Sequence, residues 1–247
     1  MTFIWDGVKQ AFELLFEGNG EIFDVLGVTL HVGVGATLLA LLVGLPLGLA
    51  CGLGRFRGRR VLLALLNAGL GLPPVVVGLI VALFLFRGAP LGGLEWIYTI
   101  NGIIFAQAIL AFPIVGAFTA TAVDAVPRAL FDQARALGAS RAQLAALALR
   151  EARVGVIGAT IAAFGSALSE VGAVVLVGGN IHGQTQTLAT AVLSEISAGE
   201  YGTAIAFGLL LLGLVLICGG ALTLFQYAGD ERGERGRRGF LPGWRAS

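Results

Sequence analysis

Lysine occurs once in these 247 residues, at Lys9, outside any glycine-rich turn. A G-x-x-x-x-G-K-[ST] phosphate loop is therefore impossible, and with it ATP binding and hydrolysis of that kind by this chain. The two histidines, His31 and His182, and the two cysteines, Cys51 and Cys218, form no H-E-x-x-H and no C-x-x-C, so no metal site is expected. Both cysteines lie inside apolar runs, which argues against a disulfide framework. Charge is scarce as well, at 13% of residues, against roughly 25% in soluble domains. The 38 glycines follow no G-X-Y period and come with only seven prolines, which excludes collagen and a disordered linker. With a mean hydropathy of +0.89, what remains is an integral membrane protein.

The charge-free runs carry that conclusion to an architecture. Val25 to Gly54 holds 30 residues without Asp, Glu, Lys or Arg, Val61 to Phe86 holds 26, Trp96 to Val123 holds 28 and Tyr201 to Gly229 holds 29. Val154 to Ser194 is broken only by Glu170. About 20 apolar residues cross the hydrocarbon core, so each run is long enough. Alternating ten-residue strands are absent, against an outer-membrane barrel. The fold class expected is an all-α, polytopic bundle of five transmembrane helices.

Fourteen of the sixteen basic residues fall on one side of these spans. They are Arg55, Arg57, Arg59 and Arg60 after the first span, Arg128, Arg135, Arg141, Arg150 and Arg153 between the third and fourth, and Arg232, Arg235, Arg237, Arg238 and Arg245 in the tail. The positive-inside rule makes that side cytoplasmic, with the N-terminus outside and the C-terminus inside. Residues 1–21 lack the basic start and long apolar stretch of a signal peptide. Trp5, Val8, Phe12 and Leu15 instead make an amphipathic stripe, expected either at the membrane interface or packed on the protein. The Gly- and Arg-rich tail, 230–247, is expected to be poorly ordered and suited to anionic lipid.

Packing and breaks are also legible. Gly44, Gly48 and Gly52 make overlapping G-x-x-x-G steps, a face for close helix approach, and Pro46 within it suits a kink. Pro73-Pro74 and Pro113 interrupt the second and third spans, as simple kinks or as part of a transport pathway. Segment 124–153 carries its own helix punctuation. Pro127 suits a first turn, Gly138 a helix end, and Ser140 with Gln143 a capping box. Leu130, Ala134 and Leu137 form an apolar stripe between them, the form of a helix that docks in a groove or rests on the membrane. Gly138-Ala139-Ser140 has no histidine base nearby, so a serine nucleophile there is rejected.

The residues of this segment also carry a family resemblance. Asp132-Gln133-Ala134, three residues and Gly138 resemble the E-A-A-x-x-x-G coupling loop of ABC-importer permeases, with Asp for Glu and Gln for the first Ala. Gly71 to Gly78 (GLPPVVVG), Ala167 to Ala173 (ALSEVGA) and Gly178 to Gly183 (GGNIHG) make the chain similar to oxyanion-importer permeases of the tungstate/molybdate kind. Arg150-Glu151 stands where Leu-Pro is usual, and the Leu149 to Arg153 run places the chain nearer the tungstate type. The resemblance covers about Phe23 to Phe225, and sulfate permeases share the Gly-Asn-Ile region.

The resemblance implies a permease working by alternating access in the cell's inner membrane. Its implied partners are a second copy of itself, two cytoplasmic ABC ATPase subunits and a periplasmic or lipid-anchored oxyanion-binding protein. ATP and Mg would be used by the partner ATPase, so this chain is expected to bind no cofactor, to be no enzyme by itself and to have no nucleic-acid partner. Asp132, Gln133, Ala134, Leu137 and Gly138 are the implied ATPase-coupling residues. Glu170, the one acid within a span, is expected to face the interior, bonding groups of neighbouring helices. With Ser169, Gly172, Pro73 and Pro74 it makes the candidate gate. Residues 179–200 read as an external hairpin whose Asn180, His182, Gln184 and Thr185 are candidates for contacting the anion or the binding protein. The alternatives are a sulfate-type ABC permease and an ion-driven secondary transporter; the latter usually shows inverted repeats and several buried ionisable groups. A membrane scaffold that recruits a partner through its arginine loop is a further class.

Overall fold

A computed structural model describes residues 20–238, together with Trp5, Val8, Lys9 and Glu13 ahead of them. Those four are helical, with Trp5 exposed and Val8 half-buried; Phe12 and Leu15 of the expected stripe lie outside the described residues. Ten α-helices follow: α1 (Gly20–Leu53), α2 (Arg59–Gly69), α3 (Pro74–Leu85), α4 (Ile100–Asp124), α5 (Arg128–Ala136), α6 (Arg141–Glu151), α7 (Arg153–Ser169), α8 (Gly172–Gly178), α9 (Leu188–Ala198) and α10 (Tyr201–Arg238). The described residues contain no strand. Three helices, α1, α4 and α10, are long and apolar enough to cross a membrane, and up to five spans result if each bent pair counts as one.

Helix α4 is the axis of the bundle. Its apolar stretch is 72% buried, against 33% for α1 and 17% for α10. One side of α4 packs Ala106 and Leu110 against Val77, Val81 and Leu85 of α3 and Ala173 and Val177 of α8. A second sets Ala111 and Val115 against Ala40 of α1 and Ala163 of α7. A third sets Ala117 and Ala120 against Cys51 of α1 and Leu66 of α2. A helix that is apolar all round is held in this way, surrounded by other helices. Helix α10 sits outside, pressing Phe207 and Leu210 onto Ile22 and Val25 of α1 and Leu188 and Ala191 of α9.

The glycine steps of α1 are the seam with α4. A Cβ on Gly44 would lie 2.6 Å from the Phe112 carbonyl oxygen, one on Gly48 2.6 Å from Thr119 Cβ, and one on Gly52 2.6 Å from Val123 Cβ. Backbones this close exclude any side chain at the three positions. Pro46 stays inside a continuous α1, so it ends no element there. Leu38 and Leu42 of α1, Val75, Leu79 and Leu83 of α3, and Leu212 and Leu216 of α10 are exposed. A surface of that kind suits hydrocarbon rather than water.

The second expected span, Val61 to Phe86, is not a straight rod. Helices α2 and α3 meet at 103°, because Pro73 and Pro74 remove two backbone donors and restrict the preceding residues. Twelve-residue α3 rises only about 18 Å. Gly69 makes the bend possible, since a Cβ there would lie 2.5 Å from the Pro113 ring. Pro113 itself sits inside a continuous α4. The Val154 to Ser194 run likewise divides, α7 ending at Ser169 and α8 starting at Gly172. At the far end α10 runs past Asp230 to Arg238, and the next proline comes only at Pro242.

Candidate coupling loop and broken-helix site

The arginine-rich side is tied together by ions. The Arg59 guanidinium at the start of α2 donates to the Cys51 carbonyl of α1 at 2.6 Å and pairs with Asp124 at the end of α4 at 3.3 Å. Asp124 also pairs with Arg128, the first residue of α5. The ends of α1 and α4 and the starts of α2 and α5 therefore lie at one level.

Helix α5 is anchored there by a residue absent from the expected stripe. Phe131 is 1% exposed and packs with Val123, Val126, Leu144, Ala148 and Ala152. Leu130 and Ala134 also lean on this cluster. The expected docking stripe thus splits: two of its members face the protein's own α6, and Leu137 alone stands clear, 90% exposed. Asp132 and Gln133 are exposed on the outer face, where Asp132 pairs with Arg135 at 2.7 Å.

The end of α5 is a Schellman turn. Gly138 has φ +83°, its N–H donates to the Arg135 carbonyl at 2.9 Å, and that of Ala139 to the Ala134 carbonyl at 3.0 Å. This left-handed position favours glycine and ends the helix at Ala136, with Leu137 as its C-cap. Ser140 and Gln143 then form the expected capping box of α6. Leu137 is in this way held at the tip of two short helices by backbone geometry at both sides.

Of the candidate gate residues, Gly172 packs on α3 just past Pro73-Pro74, nearly a hundred residues earlier in sequence. Helices α3 and α8 run side by side in the same direction, both starting at a break. A Cβ on Gly172 would lie 2.6 Å from Val75 Cγ2, and one on Gly78 2.6 Å from Ala173 Cα. Farther along, Val81 and Leu85 meet Val177. Pro73, extended at φ −65° and ψ 119°, caps α3, with Pro74 as its first residue. Half-buried Glu170 is also extended, at ψ 131°. Its Oε1 accepts the N–H groups of Gly172 at 2.7 Å and Ala173 at 3.3 Å. The carboxylate thus caps the next half-helix, where the positive end of the peptide dipoles lies. Exposed Ser169 turns its hydroxyl back to the Gly165 carbonyl, 2.7 Å away.

Beyond α8 the chain turns through Gly179 (φ +74°) and Asn180 (φ +49°). Asn180 Nδ2 donates to Ser194 Oγ at 2.5 Å, and its Oδ1 is buried with no partner among the described residues. His182 Nδ1 lies 3.0 Å from Gln186 Oε1, and Gln184 is exposed. Thr185 is different. It is 2% exposed, and its hydroxyl donates to the Gly178 carbonyl at 2.6 Å and accepts from the Ile181 N–H at 2.9 Å. That side chain is committed to closing the loop. The hairpin includes the expected short helix, α9, capped by Thr187 and Thr190 and held to α1 by the Leu188 N–H, which donates to Thr29 Oγ1 at 2.9 Å.

Sequence reasoning missed several of these supports. The Thr187–Thr190 cap lacks the Glu or Gln that marks a capping box. Tyr98, whose N–H donates to the Val177 carbonyl at 2.8 Å, stacks edge-on with Phe86, their centroids 6.4 Å apart. It had no signal beyond being aromatic. Phe131 was visible as an apolar residue one step after Leu130, but only the facing α6 selects it.

Known proteins place this geometry. Residues 44–227 match the family model described as "Binding-protein-dependent transport system inner membrane component". A Haloferax volcanii protein named "Probable anion ABC transporter permease protein" is 40% identical over 87% of this chain and 95% of its own. The tungstate uptake system permease protein TupB of Peptoclostridium acidaminophilum is 35% identical over 86% of this chain and 93% of its own. The molybdenum transport system permease protein ModB of Escherichia coli K12 is 33% identical over 67% and 79%. In fold, the chain resembles one from the inward-facing MetNI methionine ABC transporter, with TM-score 0.69 and 19% identity over 83% of this chain and 94% of that one. The chain is a multi-pass membrane protein and belongs to the family of binding-protein-dependent transport system inner membrane components.

Proposed function

We propose that this chain is the permease subunit of an ABC importer that moves tungstate, or the closely similar molybdate, into the cytoplasm. The observation that carries the reading is the exposed tip of α5. Leu137, Asp132 and Gln133 stand clear on a short helix braced by Phe131, the form that fits the groove of a separate ATPase subunit. The anion and tungstate names of the relatives support the substrate class. The arginine-rich side is then cytoplasmic and loop 179–187 external, with Asn180, His182 and Gln184 offered to the binding protein or the passing anion. The working unit is a homodimer with two ATPase subunits, which bind and hydrolyse ATP with Mg.

Alternating access needs two packings that differ by a few kcal/mol and are biased differently by each partner. The half-helices α3 and α8, with the Glu170 cap at their breaks, are the element proposed to move. The test is uptake into vesicles containing this chain and its cognate ATPase, with the binding protein outside and ATP inside. ATP-dependent tungstate accumulation that molybdate competes for is expected. Sulfate uptake of equal rate with no tungstate entry would overturn the substrate, and ATP-independent, ion-driven uptake would overturn the class.

A further inference from the structure

Two adjoining hollows lie beside the coupling loop, of about 250 and 570 Å³. They share Leu53, Arg55 and Arg135, and so form one cleft between the end of α1, helix α5 and the start of α6. The wall is amphiphilic. Leu49 and Leu53 continue the apolar surface of α1 and Leu144 faces them from α6, while Arg55, Arg128, Arg135 and Arg141 stand around with one acid, Asp132.

The charges do not balance. Asp132 is taken by Arg135, and Arg128 by Asp124 outside the cleft. The side chains of Arg55 and Arg141 make no hydrogen bond or ion pair among the described residues. Arg141 is moreover the first residue of α6, where the helix dipole disfavours a cation. Two guanidinium groups lining an open apolar cleft at the end of a 34-residue apolar helix call for an anion with a hydrocarbon body.

We propose that this cleft binds an anionic membrane phospholipid, its phosphate between Arg55 and Arg141 and its upper acyl chains on Leu49, Leu53 and Leu144. Basic pockets between helices on the cytoplasmic side suit such head groups. Phe56, 43% exposed in the same turn, suits the level of the head groups, where aromatic rings collect. A free inorganic anion would satisfy the arginines but leave the apolar wall in water; the lipid satisfies both. The proposal rests on reading the arginine-rich side as the cytoplasmic interface.

Native mass spectrometry of the full chain in neutral detergent, titrated with phosphatidylglycerol or phosphatidylcholine, tests it. Phosphatidylglycerol should be retained and phosphatidylcholine not. Arg55→Gln/Arg141→Gln should weaken retention about thirty-fold, roughly five-fold per arginine. Arg55→Lys/Arg141→Lys should keep most of it, which separates lost charge from lost folding. Arg87→Gln, the one arginine off the arginine-rich side, should change nothing. Equal retention by the double glutamine variant, an equal loss in the Arg87 variant, or full displacement by millimolar inorganic phosphate would overturn the site. So would loss of the co-purifying ATPase subunit with lipid retention intact, because the cleft would then be a protein-docking surface. Lipid retention is read without transport, so its failure is distinct from failure of the importer reading.

Discussion

Replacing Leu137 by Asp separates docking from folding better than any other change in the coupling loop. The side chain is 90% exposed, so it buries almost nothing against its own chain. Surface substitutions of this kind alter stability by less than about 0.5 kcal/mol. If the side chain enters a groove on the ATPase subunit, full burial of a leucine contributes about 1.5–3 kcal/mol. Its loss lowers affinity about ten- to 150-fold per loop, before the further cost of pressing a carboxylate into an apolar groove. The assay is a binding titration of the detergent-solubilised chain with the ATPase subunit, paired with a thermal melt of the chain alone. Unchanged melting with at least ten-fold weaker association is expected. Phe131→Ala is the contrast: at 1% exposure it loses about 3–5 kcal/mol of packing, and its melting falls. Wild-type association by Leu137→Asp would refute the docking of the α5 tip.

Three further predictions concern the seam, the break and the orientation. Gly48→Leu should lower the melting temperature, since its Cβ would already lie 2.6 Å from Thr119 Cβ and 2.7 Å from the Gly116 carbonyl oxygen; overpacking costs about 1–3 kcal/mol or more. Gly213→Leu, with nothing within 4 Å, should melt like wild type, and equal effects would sink the close-packed α1–α4 seam. Glu170→Ala removes the cap of α8 and should cost about 0.5–2 kcal/mol together with coupled uptake. Glu170→Gln keeps an acceptor oxygen and should keep stability, so normal uptake in both variants would dismiss the gating role. For orientation, single cysteines are placed by Arg57→Cys or His182→Cys after Cys51 and Cys218 are replaced by Ser. An impermeant maleimide added to intact cells should label only position 182; labelling of position 57 instead would invert the topology.

The helical class and the packing seam were legible because both depend on short-range sequence facts. A run without charge has one favourable solvent, and a glycine every fourth residue has one structural use, so the Gly44–Gly48–Gly52 face does take another helix closely; that the helix is α4 came from the structure. The break at Pro73-Pro74 was equally local, since it follows from missing donors. The one at Glu170 was not, because a lone acid in an apolar run reads as part of one continuous span, and only the structure ends α7 at Ser169 and starts α8 at Gly172. The α5 stripe was read less well. Leu130, Ala134 and Leu137 share a helical face by spacing, yet spacing cannot say which of them meets the rest of the protein.

By itself, then, the sequence determined the membrane as solvent, the all-helical class, the glycine seam, both ends of α5 and the start of α6, all set by interactions within about four residues or with the surrounding medium. Tertiary structure alone decided which faces remained free. It set Phe131 against Leu144 and Ala148 and left Leu137 outside. It brought Val75 onto Gly172 across nearly a hundred residues and gave Arg59 and Arg128 a common acid in Asp124. The physical reason is that burial is a property of a residue's partners, and here those partners lie on other helices.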